Sequence, residues 1–144
     1  MSDRKFASAA LAAALALGAL AVTLAPLPAA AHTDEMLAGR KGPNGGDLKV
    51  AGAYHVEFVV KGRDVRLYLY DHADAPADAS KASASAQLLV GKERLSVDLK
   101  PTAKPLNELA GSAPNALSGE VRAVVRLQPA QGEPQQVRYT LSIR

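Results

Sequence analysis

The chain has 144 residues, with 17 basic and 14 acidic side chains and a formal net charge of +3 at pH 7. Because the basic excess is small and scattered along the chain, the composition does not indicate a nucleic-acid-binding protein. The absence of cysteine excludes a disulfide framework, a thiolate metal site and a cysteine nucleophile.

Residues 1–31 have the three-part pattern of a secretory signal peptide. A short charged start leads into an apolar run rich in alanine and leucine, Pro26 and Pro28 end this predicted helix, and alanines at 29–31 supply the cleavage site. An uncleaved membrane anchor is the alternative, because the run approaches the roughly 20 residues that span a bilayer. The prolines and the alanine-rich end favour cleavage, which predicts a periplasmic protein of about 113 residues, enough for one domain.

Two segments without strand character follow the signal peptide. Residues 32–41 have no useful periodicity and are expected to form a flexible N-terminal arm. Residues 42–46, Gly-Pro-Asn-Gly-Gly, are a concentrated turn signal. The folded domain is therefore expected over residues 42–144.

Alternation of apolar and polar residues in this domain predicts seven or eight short strands. Turn signals recur about every 8–12 residues, which favours an all-β, antiparallel, immunoglobulin-like β-sandwich. A small up-and-down barrel is the alternative architecture. The predicted strands lie near residues 48–50, 54–60, 65–72, 86–90, 95–101, 108–111, 121–127 and 137–143.

A tight hairpin is predicted between the second and third strands. If Gly62 and Arg63 are the central turn residues, His55 lies opposite Tyr70. His72 is then the diagonal neighbour of His55 on the same face, at a separation of roughly 7–8 Å. Two imidazoles at this distance can converge on one metal ion.

Acidic residues near the two histidines extend this hypothesis. Glu57 lies two residues from His55 on the same face and could provide an oxygen ligand. In an ideal strand Asp71 points to the opposite face, but the twist at a strand end can turn its side chain toward the face of the two histidines. The sequence thus predicts a divalent metal site, for copper or zinc, at His55, His72, Glu57 and Asp71.

His32 becomes the N-terminal residue if cleavage follows Ala31. Its α-amine has a pKa of roughly 7.7–8.0, so a copper ion can displace the proton at neutral pH and bind the amine together with the ring. A flexible arm would let His32 reach the hairpin and complete an imidazole-rich site.

Structural interpretations stay open beside the metal hypothesis. His55 is also explained as a half-exposed strand residue that packs over Tyr70, and His72 as a turn residue among acidic neighbours. Catalysis is not expected, because no Gly-x-Ser-x-Gly elbow, His-Glu-x-x-His pair or phosphate-binding glycine loop is present.

Three motifs resemble a known family of exported domains. They are P-N-G-G at 43–46, G-x-Y-H-x-E-F-V at 52–59 and V-x-L-Y-x-x-D-H at 65–72. Together they are similar to the N-terminal segment of some periplasmic adaptor subunits in heavy-metal efflux systems of the resistance-nodulation-division type, which also occurs in small stand-alone periplasmic proteins. The resemblance implies a β-sandwich and a role in metal-ion handling. No segment of residues 42–144 is expected to form the coiled-coil hairpin, lipoyl-like or barrel domains of those adaptors.

Two functions are therefore expected in order of preference. The first is a periplasmic metal-binding or metal-handling accessory protein, with an efflux component as a candidate envelope partner and no membrane association after cleavage. The second is a periplasmic module that binds no metal and recognises a protein partner through a sheet face or edge.

Overall fold

The computed structural model describes residues 37–144, so the predicted signal peptide and His32 lie outside the described residues. The described chain contains eight strands, numbered in chain order: β1 Asp47–Ala51, β2 Tyr54–Lys61, β3 Asp64–Tyr70, β4 Ser83–Val90, β5 Glu93–Pro101, β6 Glu108–Ser112, β7 Gly119–Gln128 and β8 Gln135–Ile143. Within this part of the chain, no helix has the length and apolar character that crossing a membrane requires.

The eight strands form one antiparallel sheet with the order β1-β2-β3-β6-β5-β4-β7-β8. Strand β5 joins the half made of β1, β2, β3 and β6 to the half made of β4, β7 and β8. Its residues 93–99 pair with β4, whereas Lys100 and Pro101 pair with β6. The outermost strands β1 and β8 approach each other, so the sheet is nearly closed. The all-β antiparallel prediction is confirmed, whereas the hydrogen-bond order does not confirm an immunoglobulin-like sandwich.

The hairpin of β2 and β3 has the predicted register. Lys61 pairs with Asp64, and His55 lies opposite Tyr70. Gly62, the first of the two turn residues, has a φ of 59°, a left-handed conformation that glycine adopts without steric cost. The prediction was wrong in one respect: β3 ends at Tyr70, so His72 lies in the following turn and not in the strand.

One hydrophobic core fills the space between the two halves of the sheet. Phe58 of β2 is fully buried and contacts the ring of Tyr139 of β8, with 5.2 Å between the ring centroids. The Tyr139 hydroxyl donates a hydrogen bond to the Val56 carbonyl at 3.0 Å. Alternate residues of each strand point into the core. Phe58 and Tyr139 are such residues, and their contacts join β2 to β8 across the core.

The second face of β2 is also buried, although alternation alone predicts a polar, solvent-facing surface. A smaller hydrophobic cluster covers it, made of Leu37, Leu48, Val59, Tyr68 and Tyr70. The segment before β1 supplies part of this cover, since Leu37 is buried and the Arg40 carbonyl accepts a hydrogen bond from the Leu48 amide. Residues 37–41, the described end of the segment predicted as a flexible arm, thus pack against the sheet.

Candidate metal centre

Glu57 is fully buried on the covered face of β2 and accepts four hydrogen bonds. Its Oε1 accepts from the backbone amides of Asn44 and Gly46, both at 2.8 Å. Its Oε2 accepts from the Tyr70 hydroxyl at 2.8 Å and from Nδ2 of Asn44 at 3.1 Å. A buried carboxylate requires such donors to offset the loss of water. Glu57 therefore organises the turn at residues 42–46, and both of its oxygens are engaged there.

The glycines of this turn are explained by the same carboxylate. A Cβ atom on Gly42 would overlap the carboxyl group of Glu57, and one on Gly46 would lie 2.5 Å from the Phe58 carbonyl oxygen. The turn approaches the strand so closely that only glycine fits at these two positions. The P-N-G-G motif and Glu57 thus form one structural unit.

The Tyr70 hydroxyl remains a hydrogen-bond donor over a wide pH range. Burial raises its pKa above the ordinary value, and the neighbouring Glu57 carboxylate raises it further. Burial likewise raises the pKa of Tyr68, whose hydroxyl lies near the carboxylate of Glu108. Glu108 is buried and also accepts a hydrogen bond from Arg66 at 3.0 Å. The covered face therefore holds two buried carboxylates, each beside a tyrosine.

His55 lies on the same face and is 2% exposed. Its Nδ1 is 2.7 Å from Oδ1 of Asp74, and Oδ2 of Asp74 accepts a hydrogen bond from Arg40 at 2.7 Å. The hydrogen bond with His55, reinforced by the Arg40 guanidinium, lowers the pKa of Asp74. Asp74 is therefore an ionised acceptor at neutral pH, and Nδ1 of His55 carries the proton that it accepts.

His72 meets His55 from the exposed turn after β3. Its Nδ1 lies 3.5 Å from Nε2 of His55, and the two ring centroids are 5.2 Å apart with the planes at 80°. In an imidazole whose Nδ1 is protonated, Nε2 carries the lone pair that a metal ion would take. The structure thus brings together the two histidines that the hairpin register predicts as neighbours.

The turn that carries His72 is ordered by Asp71. Its Oδ1 accepts hydrogen bonds from the amides of Ala73 at 2.8 Å and Ala75 at 2.9 Å. Asp74 has a φ of 61°, a left-handed conformation that aspartate tolerates better than most residues. Asp71 therefore acts on the site through the backbone of the turn, which directs Asp74 back to His55.

Asp74 and Arg40 were not predicted as site residues. The spacing Asp71-x-x-Asp74 before Pro76 is a turn signal that could have placed a second carboxylate beside the hairpin. Arg40 came from a segment expected to be flexible, so nothing in the local pattern indicated its contact with Asp74.

The imidazole pair supplies two nitrogen atoms, and no larger ligand set surrounds it in residues 37–144. Within this range no group of three or more histidine, aspartate or glutamate side chains is arranged to hold a metal ion. Asp74 does not complete one, because it contacts Nδ1 of His55 and Nε2 is on the other side of the ring. A cleft of about 330 Å³ opens beside Asp74 and is lined by residues 40–43, Leu48 and Tyr70.

Comparison with protein-family models, with curated proteins and with solved structures found no match to this chain.

Proposed function

We propose that this chain is a metal-binding accessory protein that holds a divalent copper or zinc ion between Nε2 of His55 and Nδ1 of His72. The observation that carries the proposal is the 3.5 Å separation of these two nitrogen atoms. Two nitrogens bound to one tetrahedral ion with bonds of about 2.05 Å lie about 3.3 Å apart. The pair therefore needs little movement to bind an ion.

The hydrogen bond between His55 and Asp74 supports the same proposal. Histidines that bind metal ions commonly donate their other ring N–H to a carboxylate, which fixes the tautomer and raises the basicity of the ligand nitrogen. Asp74 holds His55 in this way at 2.7 Å. His72 is exposed, so the ion would enter from the solvent side of the pair.

The other predicted ligands, His32, Glu57 and Asp71, are assigned different roles at the proposed site. Water and His32, through its ring and α-amine, are the candidates for the open coordination positions. Glu57 and Asp71 are assigned supporting roles, because the hydrogen bonds of Glu57 hold the covering turn and those of Asp71 hold the turn of His72. Neutral imidazoles suit copper and zinc better than magnesium or calcium.

Export to the periplasm and a link to heavy-metal efflux belong to the same proposal. The predicted signal peptide at residues 1–31 supports export, and the resemblance of the motifs at 43–72 supports the link with efflux adaptors. An immunoglobulin-like sandwich is the finer description that we propose for the fold, supported by the larger core cluster, to which strands of both halves of the sheet contribute. No catalytic activity is part of the proposal.

Calorimetric titration of Cu(II) and Zn(II) tests the proposal on protein that begins at His32. One-to-one binding is expected, and His72→Ala should abolish it. His72 is exposed, so this variant should keep the fold, which its thermal unfolding curve verifies. Added ion should also raise the melting temperature of the parent protein by mass action, but not that of the variant.

Two outcomes would contradict the imidazole pair as the site. Binding that survives His72→Ala but disappears on acetylation of the α-amine would move the site to the N-terminus. A chain that binds neither ion would favour the alternative function, a periplasmic module that recognises a protein partner.

A further inference from the structure

The outer face of strands β4, β5, β7 and β8 carries an excess of positive charge. The outward positions of β4, β5, β7 and β8 hold Arg94, Lys100, Arg122, Arg126 and Arg138, against two acidic residues, Asp98 and Glu120. We call the central part of this surface the arginine face, made of Arg94, Arg122, Arg126, Arg138, Leu89 and Val124.

Strand register brings the members of the arginine face together. Leu89 lies between Arg94 on β5 and Arg122 on β7. Val124 lies opposite Arg138 on β8. Directly opposed residues of antiparallel strands have Cβ atoms about 4.5–5.5 Å apart, and diagonal neighbours about 7–8 Å. Arg94 and Arg122 therefore flank Leu89, Arg138 lies beside Val124, and Arg126 follows Val124 two positions along β7 on the same face.

The charge of this surface is poorly balanced. Arg122 contacts the carboxylate of Glu120 at 3.1 Å. Within residues 37–144, neither Arg94 nor Arg126 nor Arg138 forms an ion pair with a carboxylate. Like charges that are close on a sheet repel each other and favour the binding of an anionic partner.

The apolar part of the surface indicates that the anionic partner also presents an apolar group. Leu89 and Val124 are half-buried, and with Arg94, Arg122 and Gln87 they line a shallow groove of about 380 Å³. Guanidinium groups bind carboxylates through paired hydrogen bonds, and arginine is enriched at protein interfaces where lysine is depleted. The arginine face has no aromatic side chain of the kind that anchors a protein at a lipid interface.

We propose that the arginine face is a docking surface for an acidic segment of a partner protein, with carboxylates on the guanidinium groups and an apolar side chain over Leu89 and Val124. The surface is separate from the imidazole pair, so its use does not depend on metal binding. The proposal adds a partner of defined chemistry to the function.

Fluorescence polarisation tests this docking surface with a fluorescein-labelled peptide of alternating glutamate and leucine. The full mature chain should bind the peptide, and added salt should weaken the binding because the contacts are ionic. The double variant Arg122→Glu/Arg138→Glu should weaken binding by at least about tenfold. If this variant fails to fold, as judged by circular dichroism, Arg122→Gln/Arg138→Gln should still weaken it.

A matched control separates the surface from the overall charge of the protein. Lys61→Glu/Lys104→Glu makes the same change in net charge at two exposed positions outside the arginine face, and it should leave most of the affinity unchanged. The proposal is overturned if the parent chain does not bind the peptide, or if the control pair weakens binding as much as the arginine pair. Binding to phosphatidylglycerol vesicles with none to the peptide also overturns it.

Discussion

The imidazole of His55 and the carboxylate of Asp74 are 2.7 Å apart, although 19 positions separate them in the chain. The contact forms because the chain reverses after β3, where Pro76 bridges to Tyr70 and the Ala77 amide binds the Leu69 carbonyl. A strand residue and a turn residue thereby share one hydrogen bond that sets the orientation of His55.

Replacing Asp74 by asparagine should weaken metal binding by about 10–100-fold, the usual effect of losing a carboxylate behind a ligating histidine. Asparagine also tolerates a positive φ, so the turn should be kept. Titration with Zn(II) measures the loss. Asp78→Asn is the matched control, because this exposed carboxylate accepts a hydrogen bond from the Ser80 amide. Equal affinity for Zn(II) in the two variants would show that Asp74 does not support metal binding.

Replacing Glu57 by glutamine should lower the free energy of unfolding by roughly 1.5–3 kcal/mol, the contribution of a hydrogen bond to a charged group. The amide nitrogen of glutamine would face donors that the carboxylate now accepts from, because all four contacts of Glu57 are with N–H or O–H groups. Urea unfolding measures the change. Glu120→Gln, at an exposed position, should alter the stability by less than about 0.5 kcal/mol. Similar small effects from both variants would show that the buried carboxylate is dispensable.

Replacing Gly42 by alanine should disturb the same carboxylate without altering a charge. The new methyl group would overlap the Glu57 carboxyl group, so either the turn or the Glu57 side chain must move. We expect a loss of roughly 1–3 kcal/mol, typical of overpacking in a dense site. Gly39→Ala is the comparison, because a Cβ there meets no atom within 4 Å and only its φ of 77° is unfavourable. A larger loss from Gly39→Ala than from Gly42→Ala would contradict the close approach.

Stability should fall in alkaline solution because of Tyr70 and Tyr68. Burial raises the pKa of both hydroxyls in the folded chain, whereas an unfolded tyrosine ionises near pH 10. Above about pH 10 the unfolded state therefore loses protons first, and the free energy of unfolding decreases as the pH rises. Urea unfolding at a series of alkaline pH values should give a flatter dependence for Tyr70→Phe, and a still flatter one for Tyr68→Phe/Tyr70→Phe. Parallel curves for the three proteins would refute this explanation.

The strands and the central hairpin follow from the sequence, because their determinants are local. Alternation locates β2 and β3, and the position of Gly62 sets the register that brings His55 to Tyr70. The diagonal relation of His55 and His72 was derived from that register. In the structure His72 lies beyond the end of β3, so it has no place in the strand ladder, but its ring still lies next to that of His55.

The sheet order and the burial of the second face depend on contacts between distant segments. Periodicity does not indicate that β3 pairs with β6, or that β5 changes partner between residues 99 and 100. Glu57 occupies a position where alternation predicts exposure, but residues 42–46 cover it. The contact of Asp74 with His55 depends on a positive φ at Asp74, and a single aspartate in a sequence does not predict that conformation.

The change of partner along β5 has a mechanical consequence. Two separate stacked sheets can slide over each other, since only side-chain packing resists shear between them. Here the backbone of β5 is bonded to β4 at one end and to β6 at the other, so such sliding would break main-chain hydrogen bonds. The half of the sheet that carries His55 and the half that carries the arginine face therefore share strand β5, and neither can shift past the other without breaking the main-chain hydrogen bonds of that strand.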